Sequence, residues 1–102
     1  MIYFKSYLTE HGSVVAMCDE ELMGRVLRSG KLVLDLERYA SFYKGELLAE
    51  AEAAGRISSE RIYSANIVGE RSVGIMVKFG LVAPDDVRLV ENVPFVQLFA
   101  MV

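Results

Sequence analysis

The chain has 102 residues, of which 53% are hydrophobic and 25% are charged. This composition is typical of a packed globule, because a disordered chain lacks the apolar surface that offsets chain entropy, and the length suits one domain over residues 1–102. The formal net charge of -3 excludes the generally basic surface that draws many nucleic-acid binders to phosphate, although it is compatible with a local basic patch.

The residue content disfavours several kinds of site and location. No apolar run reaches the roughly 18 residues that a membrane-spanning helix needs, and residues 1–9 alternate instead of forming a signal-peptide core. Cys18 is the single cysteine and His11 the single histidine, which argues against an internal disulfide and against a metal site. We therefore expect a cytoplasmic protein without a membrane segment, a metal or a cofactor.

The start of the chain predicts a β-hairpin. Residues 2–8 alternate around Ile2 and Phe4, and residues 14–17 form a second apolar run. Gly12 supplies the positive φ that a tight turn between them requires.

A first helix is predicted over residues 19–29. Asp19 can cap free N–H groups at its start, apolar residues recur at helical spacing, and Gly30 stands where helices commonly end. A third strand is predicted over residues 31–36, where leucines alternate with other residues.

The middle of the chain predicts a loop and a second helix. Residues 38–44 contain three aromatic residues without a clear period, so we interpret them as a loop anchored by its rings. Residues 46–54 are rich in strong helix formers and precede Gly55, which predicts a short helix. Residues 57–65 combine a capping signal with β-forming residues, so both a helical turn and a strand stay open.

The last third predicts one more helix and a closing hairpin. Asn66 is a good N-cap residue, and apolar residues keep a helical rhythm as far as Gly80. Residues 87–90 and 95–101 then predict two strands.

This order of elements predicts an α+β fold with two layers. A mixed, mostly antiparallel sheet would carry about three helices on one face, since that arrangement buries every apolar stripe at once. The other face would be solvated or available to a partner.

The segment 66–72 is the strongest candidate for a binding site. A helix start with Asn66 and Gly69, followed by Arg71, can present N–H groups and a guanidinium to phosphate. Glu70 would repel an anion, and the spacing is not that of a P-loop, so helix capping with an ion pair is the competing interpretation.

Cys18 and Asp19 are candidates at the start of the predicted first helix. A helix N-terminus lowers the pKa of a thiol, but the acidic residues that follow Cys18 oppose this effect. A buried structural thiol is the competing interpretation.

Basic and aromatic residues supply a third group of candidates. Arg25 and Arg28 can grip a polynucleotide backbone, and Phe42 and Tyr43, with Tyr39, can stack on unpaired bases. A solvated basic face and rings that close the edge of the core are the alternatives.

Four blocks of sequence, in order, resemble an archaeal family catalogued as domain of unknown function 424. They are residues 18–24, 42–46 and 65–73, and the pair Val93-Pro94 together with Gln97. The resemblance implies an archaeal cytoplasmic α+β protein suggested to bind RNA or to act near translation, with no known catalytic residue. It also leads us to expect a histidine where this chain has Phe95, and glycine near Glu91 and Asn92.

Three functional hypotheses follow. The first is a binding module that contacts RNA or a ribonucleoprotein through a surface that includes Arg71, with Arg25 and Arg28. The second is a protein-interaction or homodimeric module in which an edge strand over residues 95–101 joins a partner sheet. The third is a small enzyme that acts on an anionic metabolite at residues 66–71.

Overall fold

Residues 1–99, the part of the chain that this computed structural model describes, form eight strands and three α-helices. The strands are β1 (Ile2–Thr9), β2 (Gly12–Asp19), β3 (Val26–Ser29), β4 (Leu32–Asp35), β5 (Glu46–Leu48), β6 (Ile62–Val68), β7 (Arg88–Val90) and β8 (Val93–Phe99). The α-helices are α1 (Ala40–Tyr43), α2 (Glu50–Ser59) and α3 (Glu70–Lys78), and single 3-10 turns lie at Glu20–Leu22 and Pro84–Asp86.

Six of these strands form one sheet in the order β5-β1-β2-β6-β8-β7, and β3 pairs with β4 in a separate hairpin. Every neighbouring pair in the large sheet is antiparallel except β2 and β6, which run parallel. The predicted α+β class with a mixed, mostly antiparallel sheet is therefore confirmed, as is the opening hairpin of β1 and β2.

Both faces of the central strands are buried. Along β2, Val15 and Met17 point to a first face that α2 and α3 cover, whereas Ala16 and Cys18 point to the second face. Because side chains alternate along a strand, a strand buried on both faces appears in the sequence as a continuous apolar run. This burial explains the unbroken run over residues 14–18.

The second face was predicted to be solvated or available to a partner. In the structure, the β3–β4 hairpin and α1 pack against part of it. The residues buried there with Cys18 and Phe95 include Leu27 of β3, Tyr43 of α1, and Leu36, which follows β4. Two of the three helices thus share the first face, and the short α1 lies on the opposite side of the sheet.

The predicted helix over residues 19–29 is wrong. The strand β2 continues to Asp19, one 3-10 turn follows, and β3 then begins at Val26. Gly30, with a φ of 61°, forms the turn between β3 and β4 instead of ending a helix. The residues that favour a helix start were outweighed by the apolar surface that the hairpin buries against the sheet.

Two other boundaries differ from the prediction. The stretch 46–54 begins as the edge strand β5, so α2 starts at Glu50 and runs through Gly55. Asn66 lies inside β6 and does not cap a helix, because the third helix starts at Glu70. The open question over residues 57–65 is resolved by both elements, since α2 ends at Ser59 and β6 begins at Ile62.

The closing hairpin is confirmed as β7 and β8, and Glu91 and Asn92 form its turn. The last residues of the predicted strand over 95–101, Ala100 and Met101, lie outside the described residues. Within residues 1–99, the helices are too short to cross a membrane.

Candidate functional site

The second face of the large sheet is covered at one end and open at the other. The row formed by Cys18, Val68 and Phe95 on adjacent strands is buried under the β3–β4 hairpin. Two residues further along β8, Gln97 is exposed, and Phe99 leaves 71% of its surface in water. The open end therefore presents side chains of the central strands to solvent.

A pair of amide side chains lies where the cover ends. Asn66 of β6 and Gln97 of β8 face each other across the strands, and Gln97 Nε2 donates to Asn66 Oδ1 at 3.2 Å. Among the described residues, the N–H groups of Asn66 and the side-chain carbonyl of Gln97 have no further partner. The pair presents donors and an acceptor side by side.

Aromatic rings of α1 and the residue before it stand beside these amides. The ring of Phe42 stacks on Tyr7 of β1, with centroids 5.5 Å apart and planes within 7°, and meets Tyr43 edge to face at 5.2 Å. The hydroxyl of Tyr7 donates to the carbonyl of Phe42 at 3.0 Å, which fixes α1 on the sheet. Tyr39 is 53% exposed.

Together these groups enclose a cleft of about 370 Å³, which we call the amide cleft. Its walls are residues 33–36, the three aromatic residues Tyr39, Phe42 and Tyr43, and the amides Asn66 and Gln97. Its size falls in the range of small-ligand sites, and it combines apolar walls with a few polar groups.

A second cleft shares the lining residue Phe42 with the first. It measures about 450 Å³ and is lined by Lys5, Tyr7, Val14, Ser41 and Phe42, and we call it the tyrosine cleft. Lys5 Nζ donates to the carbonyl of Ser41 at 2.8 Å and lies 5.3 Å from the centre of the Tyr7 ring. One cation therefore stands at this cleft.

Asp19, Gly69 and Arg71 form a separate cluster at the N-terminus of α3. The carboxylate of Asp19, which is 2% exposed, accepts hydrogen bonds from the backbone N–H groups of Arg71 at 3.0 Å and Ser72 at 2.9 Å. Asp19 of β2 thus caps α3. The N-cap residue of the helix itself is Gly69, which has no side chain to accept these hydrogen bonds. The hydrogen bonds of Asp19 therefore assign a structural role to this cluster, the capping of α3.

The guanidinium of Arg71 is held by acidic side chains. It donates to the Glu21 carboxylate and, at 3.3 Å, to the carbonyl of Met1, while its Nε lies 3.8 Å from Glu50 Oε1. The hydrogen bond from Arg71 lowers the pKa of Glu21 below its ordinary value. Glu70 beside it is exposed, so an anion would approach Arg71 past three carboxylates.

Cys18 is fully buried on the second face. Burial is the main cause that raises the pKa of its thiol to about 12, and the charge of Asp19 adds to the effect. His11 lies in the turn at the far end of the β1–β2 hairpin, whereas Cys18 pairs with Tyr3 near the start of β1. The two side chains that a cysteine-histidine catalytic pair would need are therefore separated.

The remaining candidates lie apart from both clusters. Arg25 and Arg28 are exposed next to and within β3, and the backbone N–H of Arg28 donates to Glu91 Oε2 at 2.7 Å. Phe95, which stands where a histidine was expected, is buried with the Arg88 guanidinium 5.8 Å from its ring centre. Among residues 1–99, no group of three side chains is arranged to bind a metal ion.

Three of the predicted site residues, Asn66, Phe42 and Tyr43, thus line the amide cleft. The predicted residues Asp19, Gly69, Glu70 and Arg71 lie at the start of α3 instead. The sequence did not identify Lys5, Tyr7 or Gln97 as site residues. The alternation of β1 places Lys5 and Tyr7 on the face opposite Ile2 and Phe4, which was a usable signal. No local pattern links either of them to Gln97.

Comparisons with known proteins agree with this fold. The model of the family described as protein of unknown function (DUF424) matches residues 7–101. A crystal structure of an uncharacterized conserved protein from Methanopyrus kandleri superposes with a TM-score of 0.79 at 27% sequence identity, covering 95% of this chain and 89% of that chain. A search of curated proteins gave no match. The chain therefore belongs to the DUF424 family.

Proposed function

We propose that this protein is a binding module that contacts unpaired nucleotides of RNA, alone or in a ribonucleoprotein, at the amide and tyrosine clefts. The observation that carries the proposal is the convergence of aromatic rings, of which Tyr39 is exposed and Phe42 and Tyr7 are half-buried, with the amide pair Asn66 and Gln97 on an open sheet face. Proteins recognise single-stranded RNA by stacking bases on aromatic rings and by hydrogen bonding to base edges.

The charges near the clefts fit a binding mode dominated by stacking. Lys5 lines the tyrosine cleft, and the Arg38 guanidinium lies 5.5 Å from the centre of the Tyr39 ring. Two cations can neutralise only a few phosphates, so we expect a shallow dependence of affinity on salt. This mode is compatible with the net charge of -3, which is the main objection to a binder driven by electrostatics.

The proposed contact surface does not include Arg71. The guanidinium of Arg71 already donates to Glu21 and to the Met1 carbonyl, and a phosphate would have to displace these two acceptors. The buried thiol of Cys18, the single cysteine of the sequence, suits the reducing cytoplasm, the compartment in which we propose that the module acts.

The test is the binding of fluorescently labelled single-stranded RNA of mixed sequence, measured by anisotropy at about 50 mM salt. Tyr39→Ala removes an exposed ring and should weaken binding roughly tenfold, since one stacked base contributes about 1–3 kcal/mol. Phe79→Ala is the matched control, because Phe79 is 45% exposed and lies at α3, away from both clefts. An RNA that does not bind, or equal losses in the two variants, would rule out this function.

A second candidate function, self-association, is favoured by the outer edge of β8. The strand β7 pairs only with residues 93–95, so residues 96–99 have no strand partner on that side within the described chain. The strand carries no charge, and Phe99 and Leu89 are 71% and 61% exposed. Antiparallel pairing of two β8 edges about a two-fold axis would satisfy their free backbone groups.

Light scattering over a range of protein concentrations tests this candidate. A dimer that dissociates in Phe99→Lys but not in Phe79→Lys would support it, because a charge on an edge strand opposes pairing. A wild-type protein that is monomeric at every concentration would remove it.

A further inference from the structure

We propose that the amide cleft selects an unpaired base that carries an exocyclic amino group, and that it prefers cytosine to uracil. This inference rests on the proposed function and names the ligand of the same site. It depends on one acidic side chain, Asp35, at the end of β4.

The charge of the cleft favours a base over a phosphate. Among the described residues that line it, Asp35 is charged and negative, and lysine and arginine are absent. A phosphate in this cleft would meet the Asp35 carboxylate, with the Arg38 guanidinium above the Tyr39 ring as the cation beside it, whereas a neutral planar base would meet apolar walls and hydrogen-bonding groups and would bring no charge.

The walls of the cleft suit a flat ring. Phe42 stands on one side with its plane fixed by Tyr7 and Tyr43, and Tyr39 adds a second aromatic surface. Stacking of this kind accepts any base, because every base has a π face. The selection among bases must therefore come from the polar groups at the edge.

The polar edge of the cleft contains one group that can only accept hydrogen bonds, the Asp35 carboxylate. Asp35 Oδ1 accepts the backbone N–H of Arg38 at 2.8 Å, which leaves Oδ2 without a partner among the described residues. The amides of Asn66 and Gln97 each carry a carbonyl and an NH2 group, so they offer both donors and acceptors to a base. The selection therefore depends on the Asp35 carboxylate, which the donor of an exocyclic amino group satisfies.

Cytosine and uracil have the same shape and differ at this edge. Cytosine presents an amino group and a ring nitrogen acceptor, which match the acceptors and the Asn66 donor. Uracil presents a carbonyl in place of the amino group and an N3–H in place of the ring acceptor. In the same pose its carbonyl oxygen would oppose the Asp35 carboxylate, and its one donor would face the Asn66 donor. Misplaced hydrogen bonds of this kind cost about 1–3 kcal/mol for each base.

The tyrosine cleft places the neighbouring nucleotide. Phe42 lines both clefts, so we assign consecutive nucleotides of one strand to them. Lys5 keeps two ammonium N–H groups beyond its bond to Ser41. These groups are available to the phosphate that joins the two nucleotides.

The experiment compares labelled oligocytidine and oligouridine pentamers on the wild-type protein at about 50 mM salt. We expect roughly tenfold tighter binding of oligocytidine. Asp35→Asn keeps the acceptor for the Arg38 N–H and replaces the free oxygen by a donor, so it should bring the ratio near one or reverse it. Asp85→Asn, in the exposed turn before β7, is the matched control and should leave the ratio unchanged.

The two levels of the proposal fail in different ways. If neither pentamer binds, the proposed function fails and the base preference fails with it. If both bind equally to the wild type, or if oligouridine binds more tightly, the RNA-binding function stands and the amino-group selection is overturned. The comparison on the wild type needs no variant, and a thermal melt shows whether Asp35→Asn is folded.

Discussion

The carboxylate of Asp19 in β2 and residue Ser72 of α3 are joined by two hydrogen bonds, one from the Ser72 backbone N–H at 2.9 Å and one from its hydroxyl at 2.7 Å. Both residues are buried. Residues separated by more than half of the chain thus connect the sheet to the start of a helix, and this connection makes the cluster around Asp19 testable as a structural element.

We expect Asp19→Ala to lower the free energy of unfolding by about 3 kcal/mol, because buried N–H and hydroxyl groups of α3 lose a charged acceptor. Ser72→Ala should cost about 1 kcal/mol, because it removes the hydroxyl hydrogen bond to Asp19 and keeps the two backbone N–H bonds. Urea unfolding followed by circular dichroism measures both values. Glu20→Ala, at an exposed neighbour, should stay within about 0.5 kcal/mol of the wild type, and an equal loss there would contradict the capping interpretation.

Gly69 allows Asp19 to approach the helix. Its φ is 111°, and a Cβ at this position would lie 2.6 Å from both carboxylate oxygens of Asp19. Gly69→Ala should therefore destabilise the fold by about 2 kcal/mol or more. Gly74→Ala, in the exposed interior of α3 with open space around it, should stabilise it by about 0.5–1 kcal/mol. Thermal melts that rank the two variants in the opposite order would refute this account.

The Cys18 thiol should resist modification in the folded protein. Its pKa is raised to about 12 by burial, so the reactive thiolate is scarce near pH 8, and the sulfur is out of reach of solvent. We expect a thiol reagent to label Cys18 only after denaturation in urea. Rapid labelling of the native protein would show that the second face opens.

The raised pKa of Cys18 predicts that the free energy of unfolding falls at alkaline pH. A thiol that titrates near 9.0 when unfolded and near 12 when folded contributes its full stability below pH 9. This contribution is lost as the pH rises through that window. The wild type should lose stability more steeply than Cys18→Ala between these values, as measured by urea unfolding, and parallel slopes would exclude the thiol as the cause.

The turn between β7 and β8 uses two residues with positive φ, Glu91 at 49° and Asn92 at 64°. Glycine was expected in this neighbourhood, and the geometry gives the reason, because a two-residue hairpin turn of this kind favours asparagine and glycine. Asn92→Gly should raise the stability by about 0.5 kcal/mol, and Asn92→Ala should lower it by about 1 kcal/mol. Melting temperatures that change in the same direction would argue against this turn.

Arg71 should matter for stability and not for RNA affinity. Arg71→Ala removes the donor to Glu21 and should cost about 1 kcal/mol in unfolding free energy. Because Arg71 lies away from both clefts, the affinity for RNA should stay within about twofold of the wild type when the variant is folded. A large loss of affinity without unfolding would return the site to Arg71.

The amino-acid sequence by itself determined the class of fold, the opening and closing hairpins, and α3 apart from its start. These features depend on alternation, helical spacing and turn residues, which are local in the chain. It also placed Phe42 and Tyr43 among the candidates, since clustered aromatic residues are visible without a structure.

Only the tertiary structure decided what the residues around Asp19 and Asn66 do. Asp19 and Asn66 both carry a local capping signal, yet Asp19 caps a helix that starts 51 residues later in the chain, and Asn66 lies in a strand beside Gln97. The local preference of such a residue is small, about 1 kcal/mol, so the burial of β3 against the large sheet and of β6 within it outweighs this preference. The amide cleft could not be predicted for the same reason, because its walls come from β4, α1, β6 and β8, which meet only when the sheet has formed.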